Sequence, residues 1–392
     1  MEPVPILIVG VDIGMSTSGI SCCLLQPGAT NPCQPTSIRL HGNTHELEPT
    51  ELGVKSQTYG SDIGANETRL TLLKLSMTDP KDCPWVLKDL ESHDRGMIQR
   101  ELNRIMTLYP ETDAITEYIN RLWVDGSQGV RKYLSTFNDL QPSGVEARFV
   151  FGVPAIWKQQ TIREMRKAIG KSGILAFGRR QPAALDFVQE PEAAAMAVIP
   201  GVAQGRGLDV GNTILILDCG GGTVDTVVYE ISSLKPVAVN EWVSPEGRFL
   251  GAIFMKSAFS SFVRGKVENQ MGGDYQSVNQ TALDSEIEVA WTAVEEGTIE
   301  DLTEEGVFGI LSVQRTDGTY AQSVTLQKHD THKALQTFAG RIVDFAEKQV
   351  LAADDQVTLI IVVGGFGRNA VVQDELKRRF GHELLFFTED AG

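Results

Sequence analysis

Apolar positions along the chain alternate between two periods. Over 6–11, 20–25, 149–153, 214–217, 226–231, 237–242 and 358–363 they cluster as short β-branched runs bounded by glycine, proline or aspartate, which predicts strands. Over 94–108, 112–123, 159–169, 253–263, 283–294, 333–351 and 371–380 they recur at helical spacing. The stripe Ile115, Tyr118, Ile119, Leu122 and Trp123 predicts a buried helix face; Gly126 and Gly129 interrupt it before Val130, Tyr133, Leu134 and Phe137 resume. Residues 185–188 lead into Glu190-Pro191, where proline suits a helix's first turn and the following alanines permit close packing. Strands around Asp317-Gly318 are predicted over 307–324, whereas 27–35 and 265–281 read as loops and 36–80 has no dominant period. Strands and helices in alternation predict the α/β class.

One stretch organises the rest. Residues 214–231 run from an apolar strand into Asp218-Cys219-Gly220-Gly221-Gly222-Thr223-Val224-Asp225 and out along a second strand. Glycines without a β-carbon let backbone amides converge on an anion, and Asp218 at the strand end offers a hard carboxylate oxygen to a cation such as Mg²⁺. Val9 to Ser21 repeats the order: strand, Asp12, Gly14, Met15, Ser16, Thr17, returning strand. Two such hairpins about two hundred residues apart predict duplicated lobes that hold one ligand.

Charge narrows the partners. A formal net charge of −16 over 392 residues argues against a nucleic-acid or anionic-membrane surface, so positive potential for phosphate must come from backbone amides and metal. Five cysteines (Cys22, Cys23, Cys33, Cys83, Cys219) are odd in number and lack Cys-x-x-Cys spacing, which predicts buried thiols in a reducing compartment and no zinc site. The chain enters a strand within a few residues, without a signal-peptide pattern, and its longest apolar run is too short for a bilayer, so a cytoplasmic location is expected. Gly170-Lys171-Ser172 lacks the earlier glycine of a phosphate loop, and Gly205-x-Gly207 lacks the third glycine of a dinucleotide fingerprint. His329 and His332 flank Asp330, where a solvated surface is the simpler reading than a metal site.

Taken together, Asp12-Ile13-Gly14, Val153-Pro154-Ala155, Glu190-Pro191 with its alanines, Asp218 to Asp225, and Val363-Gly364-Gly365 resemble, in order, the motifs of the DnaK-type heat-shock chaperone nucleotide-binding domain, within the actin-like ATPase superfamily. The resemblance covers nearly the whole chain. Ala155-Ile156-Trp157 and Gly364-Gly365-Phe366-Gly367 resemble a divergent, often fungal, branch of large chaperone-like proteins. It implies two actin-like lobes, duplicated ribonuclease-H-like units, around a central nucleotide cleft. Its expected domains are 1–200, with a helical insertion at about 85–145, and 206–392, with a small insertion at about 253–330. Under it, Asp12 and Asp218 hold Mg²⁺ largely through water, and amides of Gly14, Met15, Ser16 and Thr17 and of Gly220, Gly221, Gly222 and Thr223 bind the phosphates of ATP. Gly364, Gly365 and Phe366 flank ribose and adenine, while Glu190 and Asp225 orient the attacking water.

Four departures from the family pattern bear on activity. Gly64 stands where the family has a lysine near the γ-phosphate, with Arg69 and Lys74 as cations in the same segment; Met15 replaces the usual threonine. The adenine-side helix, 291–296, is acidic rather than basic, and the chain stops where the family's closing helix would begin. The expected function is Mg-dependent ATP binding with slow hydrolysis in a chaperone-like protein, with ADP as product and protein clients or co-chaperones as partners. The alternatives are a non-hydrolysing nucleotide switch and, less favoured, a small-molecule kinase.

Overall fold

A computed structural model of the protein describes residues 4–28, 34–41, 45–56, 58–77, 90, 92–109, 113–295 and 305–388. They form an α/β molecule with mixed sheets. The chain divides into two compact units, one of Met1–Ile199 with Pro245–Phe249, the other of Pro200–Ser244 with Leu250–Gly392.

The first unit starts with β1 (Ile6–Ile13), β2 (Thr17–Leu25), β3 (Thr36–Ser37) and β4 (Leu47–Pro49), then the short β5 (Leu52–Gly53) and β6 (Arg69–Leu70). Helices α1 (Ser92–Leu108) and α2 (Asp113–Ser135) follow, then β7 (Glu146–Val153), α3 (Gln159–Lys171), β8 (Ala184–Gln189) and α4 (Glu190–Arg206), whose last residues pass the unit boundary. The main sheet runs β3-β2-β1-β7-β8, with β4 also on β2. Strand β1 is antiparallel to β2 and parallel to β7, which is parallel to β8. The period of two along β1 buries Leu7, Val9, Val11 and Ile13 and leaves Asp12 exposed. Against this face α2 lays Ile115, Tyr118, Ile119 and Leu122, and Trp123 meets Phe149 and Phe177 edge-on with centroids 5.1 and 5.2 Å apart.

Gly126 and Gly129 do not interrupt α2, contrary to the expectation from sequence. A β-carbon at Gly126 would lie 2.4 Å from Ile20 Cδ1, and one at Gly129 2.4 Å from Ile38 Cγ2. The glycines therefore let the helix approach the sheet, and packing outweighs an intrinsic helix cost of about 1 kcal/mol each.

The second unit holds β9 (Thr213–Cys219), β10 (Val224–Leu234), β11 (Val237–Arg248), α5 (Ala252–Met271), α6 (Gln280–Glu295), β12 (Val307–Gln314), β13 (Tyr320–Gln327), α7 (Lys328–Ala352), β14 (Val357–Val363), α8 (Ala370–Phe380) and β15 (Leu385–Phe387). Its main sheet runs β11-β10-β9-β14-β15, with β9 antiparallel to β10 and parallel to β14, and β14 parallel to β15. Each unit thus carries a hairpin followed on one side by two parallel strands. Residues Ile214, Leu215, Ile216 and Leu217 are all 0% exposed, the continuous run expected of a strand covered on both faces.

Other expectations need correction. Residues 265–281 are not loop-like: α5 continues to Met271 because Val263 and Val267, four apart, keep one buried row, and a 3-10 segment Gly272–Ser277 joins it to α6. Helix α4 continues through Gly201 and Gly205, where a β-carbon would meet nothing within 4 Å, and α7 starts at Lys328, so Asp330 lies in a helical first turn and pairs with Lys266. Cys23 is disulfide-bonded, which overturns the reading of every cysteine as a thiol; spacing in sequence carries no trace of a tertiary pairing. Cys22 and Cys219 are free and buried. Cys33, Cys83, part of the 85–145 insertion, residue 296 of the acidic helix and the end at 389–392 lie outside the described residues. No helix among the described residues is long and apolar enough to cross a membrane.

Candidate functional site

In the first unit the ladder pairs Asp12 with Gly19 and Ile13 with Ser18, which leaves Gly14 to Ser16 as the turn. Gly14 N donates to Thr17 O at 2.9 Å, and a β-carbon on Gly14 would fall 2.3 Å from that oxygen, so the turn closes only on glycine. The Ser16 carbonyl accepts from Thr50 N at 2.8 Å, while among the described residues the amides of Met15 and Ser16 form no hydrogen bond. Two adjacent unbonded amides make a donor pair for an anion.

Beside this turn stand Asp12 and Glu190. A β-carbon at Gly152 on β7 would lie 3.3 Å from Asp12 Oδ1 and 3.4 Å from Glu190 Cγ, so glycine there keeps the space between the carboxylates open. Glu190 heads α4, where the partial positive charge of the helix start favours an acid. Its Oε1 pairs with Lys74 Nζ, delivered by the 3-10 segment Leu73–Met77. Lys74 is 4% exposed, and its ammonium sits 5.8 Å from the centre of the Trp157 ring. Burial strengthens the Coulomb attraction of this pair against the cost of taking both charges out of water, and the aromatic face adds to the attraction.

Of the two cations left open by the sequence, Lys74 is thus the one beside Glu190. Arg69 turns instead to Glu51 at 2.9 Å and to the Ile63 carbonyl at 3.0 Å, while a β-carbon on Gly64 would meet nothing within 4 Å.

The second unit repeats the construction. The ladder pairs Asp218 with Asp225 and Cys219 with Val224, and Gly220 N donates to Thr223 O at 2.9 Å. The Gly220 and Gly221 carbonyls accept from Ala252 N at 3.3 Å and Ile253 N at 3.0 Å, and Gly222 O accepts from Gly251 N at 3.2 Å. Gly251 lies so close that a β-carbon would come within 2.5 Å of Gly221. The turn's oxygens are therefore engaged by the first turn of α5, while among the described residues the amides of Gly221, Gly222 and Thr223 form no hydrogen bond. Asp225 is 2% exposed and accepts from the Thr223 hydroxyl at 2.7 Å, so both side chains are fixed relative to the turn. Burial, then the charges of Asp218 and Asp225, pushes the Cys219 thiol pKa up.

At the end of β14, Gly364 has φ +83° and passes so near β9 that a β-carbon would lie 2.4 Å from Cys219 O and 2.6 Å from Asp218 Oδ1. Gly365 is exposed and opens a 3-10 turn, whereas Phe366 is 7% exposed and belongs to the unit's interior. Asn369 Oδ1 caps α8 by accepting from Val371 N at 3.1 Å and Val372 N at 3.3 Å.

The sequence therefore names residues that gather as two groups. Asp12, Gly14, Met15, Ser16, Thr17 and Glu190 lie in the first unit; Asp218, Gly220 to Thr223, Asp225, Gly364, Gly365 and Phe366 lie in the second. Gly152 and Gly251, whose missing β-carbons keep space at each turn, went unread because a lone glycine in a strand or loop carries no signal of its neighbour.

A divalent cation suits these groups. Asp12 and Asp218 supply hard carboxylate oxygens, and glycine at 152 and 364 leaves the volume a β-carbon would fill beside each. Among the described residues no cluster of three or more His, Cys, Asp or Glu side chains is placed to hold a metal. No family model matches the chain.

Proposed function

We propose that the protein binds Mg-ATP and hydrolyses it slowly, as a nucleotide-binding domain of the actin-like, DnaK-type class, in a chaperone-like setting. One observation supports this most. Two glycine turns are closed by the same Gly N to Thr O bond, each with unbonded amides and an aspartate at its strand end. Turns of this form suit phosphate, because amides act as fixed partial charges that need no reorganisation when an anion arrives.

In this reading the amides of Met15 and Ser16 and those of Gly221, Gly222 and Thr223 bind phosphate oxygens. Asp12 and Asp218 hold Mg²⁺ through its water, and the metal supplies charge neutralisation to the phosphates. Lys74 adds a second positive charge, and Glu190 and Asp225 orient the attacking water. Phosphoryl transfer asks for positioning and charge neutralisation with little covalent help, which is what these groups offer. Backbone at Gly364 and Gly365 serves the ribose side.

A non-hydrolysing switch is the second reading, favoured by the Lys74–Glu190 pair: a carboxylate oxygen already engaged by an ammonium is less free to orient a water. Calorimetric titration with ATP, ADP and GTP, with and without Mg²⁺, followed by single-turnover phosphate release, tests both. Mg-dependent binding with release supports the ATPase, binding without release supports the switch, and no binding of any nucleotide overturns the proposal.

A further inference from the structure

Strand β4 runs antiparallel to β2 beside the first glycine turn, pairing Gly19 with Leu47, Ser18 with Glu48 and Thr17 with Pro49. A β-carbon at Gly19 would lie 2.9 Å from Leu47 Cδ2, so glycine there lets the two strands close on each other. Thr50, the residue that follows this short strand, grips the outgoing limb of the turn twice. Its N–H donates to the Ser16 carbonyl at 2.8 Å, and its hydroxyl joins that of Ser18 at 2.8 Å. Ser18 and Thr50 are 0% and 1% exposed, so the pair of hydroxyls is shielded from solvent.

Thr50 is itself held. The ring of Pro49 fixes φ directly before it, and the Pro49 carbonyl accepts from Glu51 N at 2.9 Å and from the Tyr118 hydroxyl at 3.1 Å. Tyr118 stands in α2 and is 0% exposed; burial pushes its pKa up, so the phenol keeps the proton it donates. The grip therefore runs from a core helix through β4 to the turn. On the incoming limb, Gly14 N donates to Thr17 O. Peptide units are planar, and the two units between these anchors carry the Met15 and Ser16 N–H groups. Both amides are thus pinned from either side, although neither forms a hydrogen bond among the described residues.

We propose that Thr50 is a positioning residue for anion binding at the first turn: through Ser16 and Ser18 it sets the direction in which the Met15 and Ser16 amides point. The inference rests on the phosphate-binding reading of that turn and deepens it by naming what holds the donors before an anion arrives. Amides aimed beforehand lose no affinity to being ordered on binding. In the second unit the opening amides of α5 hold the turn's carbonyls; in the first, Thr50 holds the carbonyl of Ser16. Two hydroxyls that served only to satisfy each other would fit anywhere in the core, whereas this pair ties the turn's outgoing limb to the residue beside it.

Hydrogen exchange of the nucleotide-free protein, together with Mg-ATP titrations, tests it in the parent, Thr50→Ser, Thr50→Val, Ser18→Ala and the double variant Ser18→Ala/Thr50→Val, each at a temperature where circular dichroism shows it folded. In Thr50→Val and Ser18→Ala alike, exchange of peptides spanning 46–52 should quicken about tenfold and Mg-ATP affinity should fall about tenfold, the effect of one lost hydrogen bond. The double variant should lose no more than either single one, because the same pair is broken once. Thr50→Ser, which keeps the hydroxyl, should match the parent. Quickened exchange with parental affinity, losses that multiply in the double variant, or a Thr50→Ser protein as impaired as Thr50→Val overturns the proposal. If the parent itself binds no nucleotide, quickened exchange in both single variants upholds the grip of Thr50 and overturns the phosphate reading alone, while unchanged exchange overturns both.

Discussion

Lys74 and Glu190 set opposite charges side by side in the first unit. The Lys74 ammonium is buried against Glu190 and Trp157, so Lys74→Ala removes a fixed charge from beside Glu190. If the pair serves a transferring phosphoryl group, hydrolysis should fall by about 10² to 10³, the usual effect of losing one such donor. Gly64→Lys should change little, since Gly64 has open space beside it rather than a site. Single-turnover phosphate release from the two variants checks both outcomes; a gain in Gly64→Lys with no loss in Lys74→Ala would mean that Gly64, not Lys74, marks the cation's place.

The two strand-end aspartates make a sharper case. Asp12→Asn or Asp218→Asn should weaken Mg-ATP binding by about tenfold or more and metal-free ATP far less, because amide oxygens are poor ligands for a hard cation. Calorimetry with and without Mg²⁺ reads the difference, and equal weakening would refute the metal assignment. The free cysteines should behave as buried groups: burial pushes the Cys22 thiol pKa up to about 12, so at neutral pH it and Cys219 should resist alkylation until the protein unfolds. Mass spectrometry of iodoacetamide-treated native and urea-unfolded protein measures this.

At the scale of elements, two glycines in helices separate packing from propensity. Gly126→Ala should destabilise the protein by about 1–3 kcal/mol, because its methyl would collide with Ile20. Gly201→Ala, exposed and with nothing within 4 Å, should stabilise by roughly 0.5–1 kcal/mol. Urea melts of the two variants should therefore shift in opposite directions. The same glycines show what a sequence can reveal. Strands and turns around Asp12 and Asp218 were legible, since β-branched runs ending in Asp-x-Gly combine period, turn chemistry and candidate ligands in one short stretch. Gly126 read as a break because intrinsic propensity is local, whereas the Ile20 side chain that makes glycine necessary lies more than a hundred residues away. Lys74 was visible as one of two cations, but its choice over Arg69 depends on Glu51 and Glu190 each taking a different partner. Strand β15 had no forecast at all, as three residues at a sheet edge hold too short a pattern.

For the whole molecule, a charge of −16 opposes any polyanion at long range. Metal-free ATP should therefore bind more tightly as salt rises from about 0.01 to 0.15 M and the Debye length shrinks from about 30 to about 8 Å, the reverse of ordinary ion pairing. Mg-ATP, with less charge, should show a smaller slope. Titrations at several salt concentrations measure both, and a steep loss of affinity with salt would point to a strongly cationic pocket instead.

The carbonyls of the second glycine turn are engaged by the opening amides of α5, so turn and helix form a single rigid piece. Its twenty residues make an arm about 30 Å long. Buried Val263 and Val267 and the Lys266–Asp330 pair seat that arm along its length, so a tilt of about 5° at the turn, which would carry Met271 by about 2.6 Å, could not stay local and would have to shift its neighbours with it.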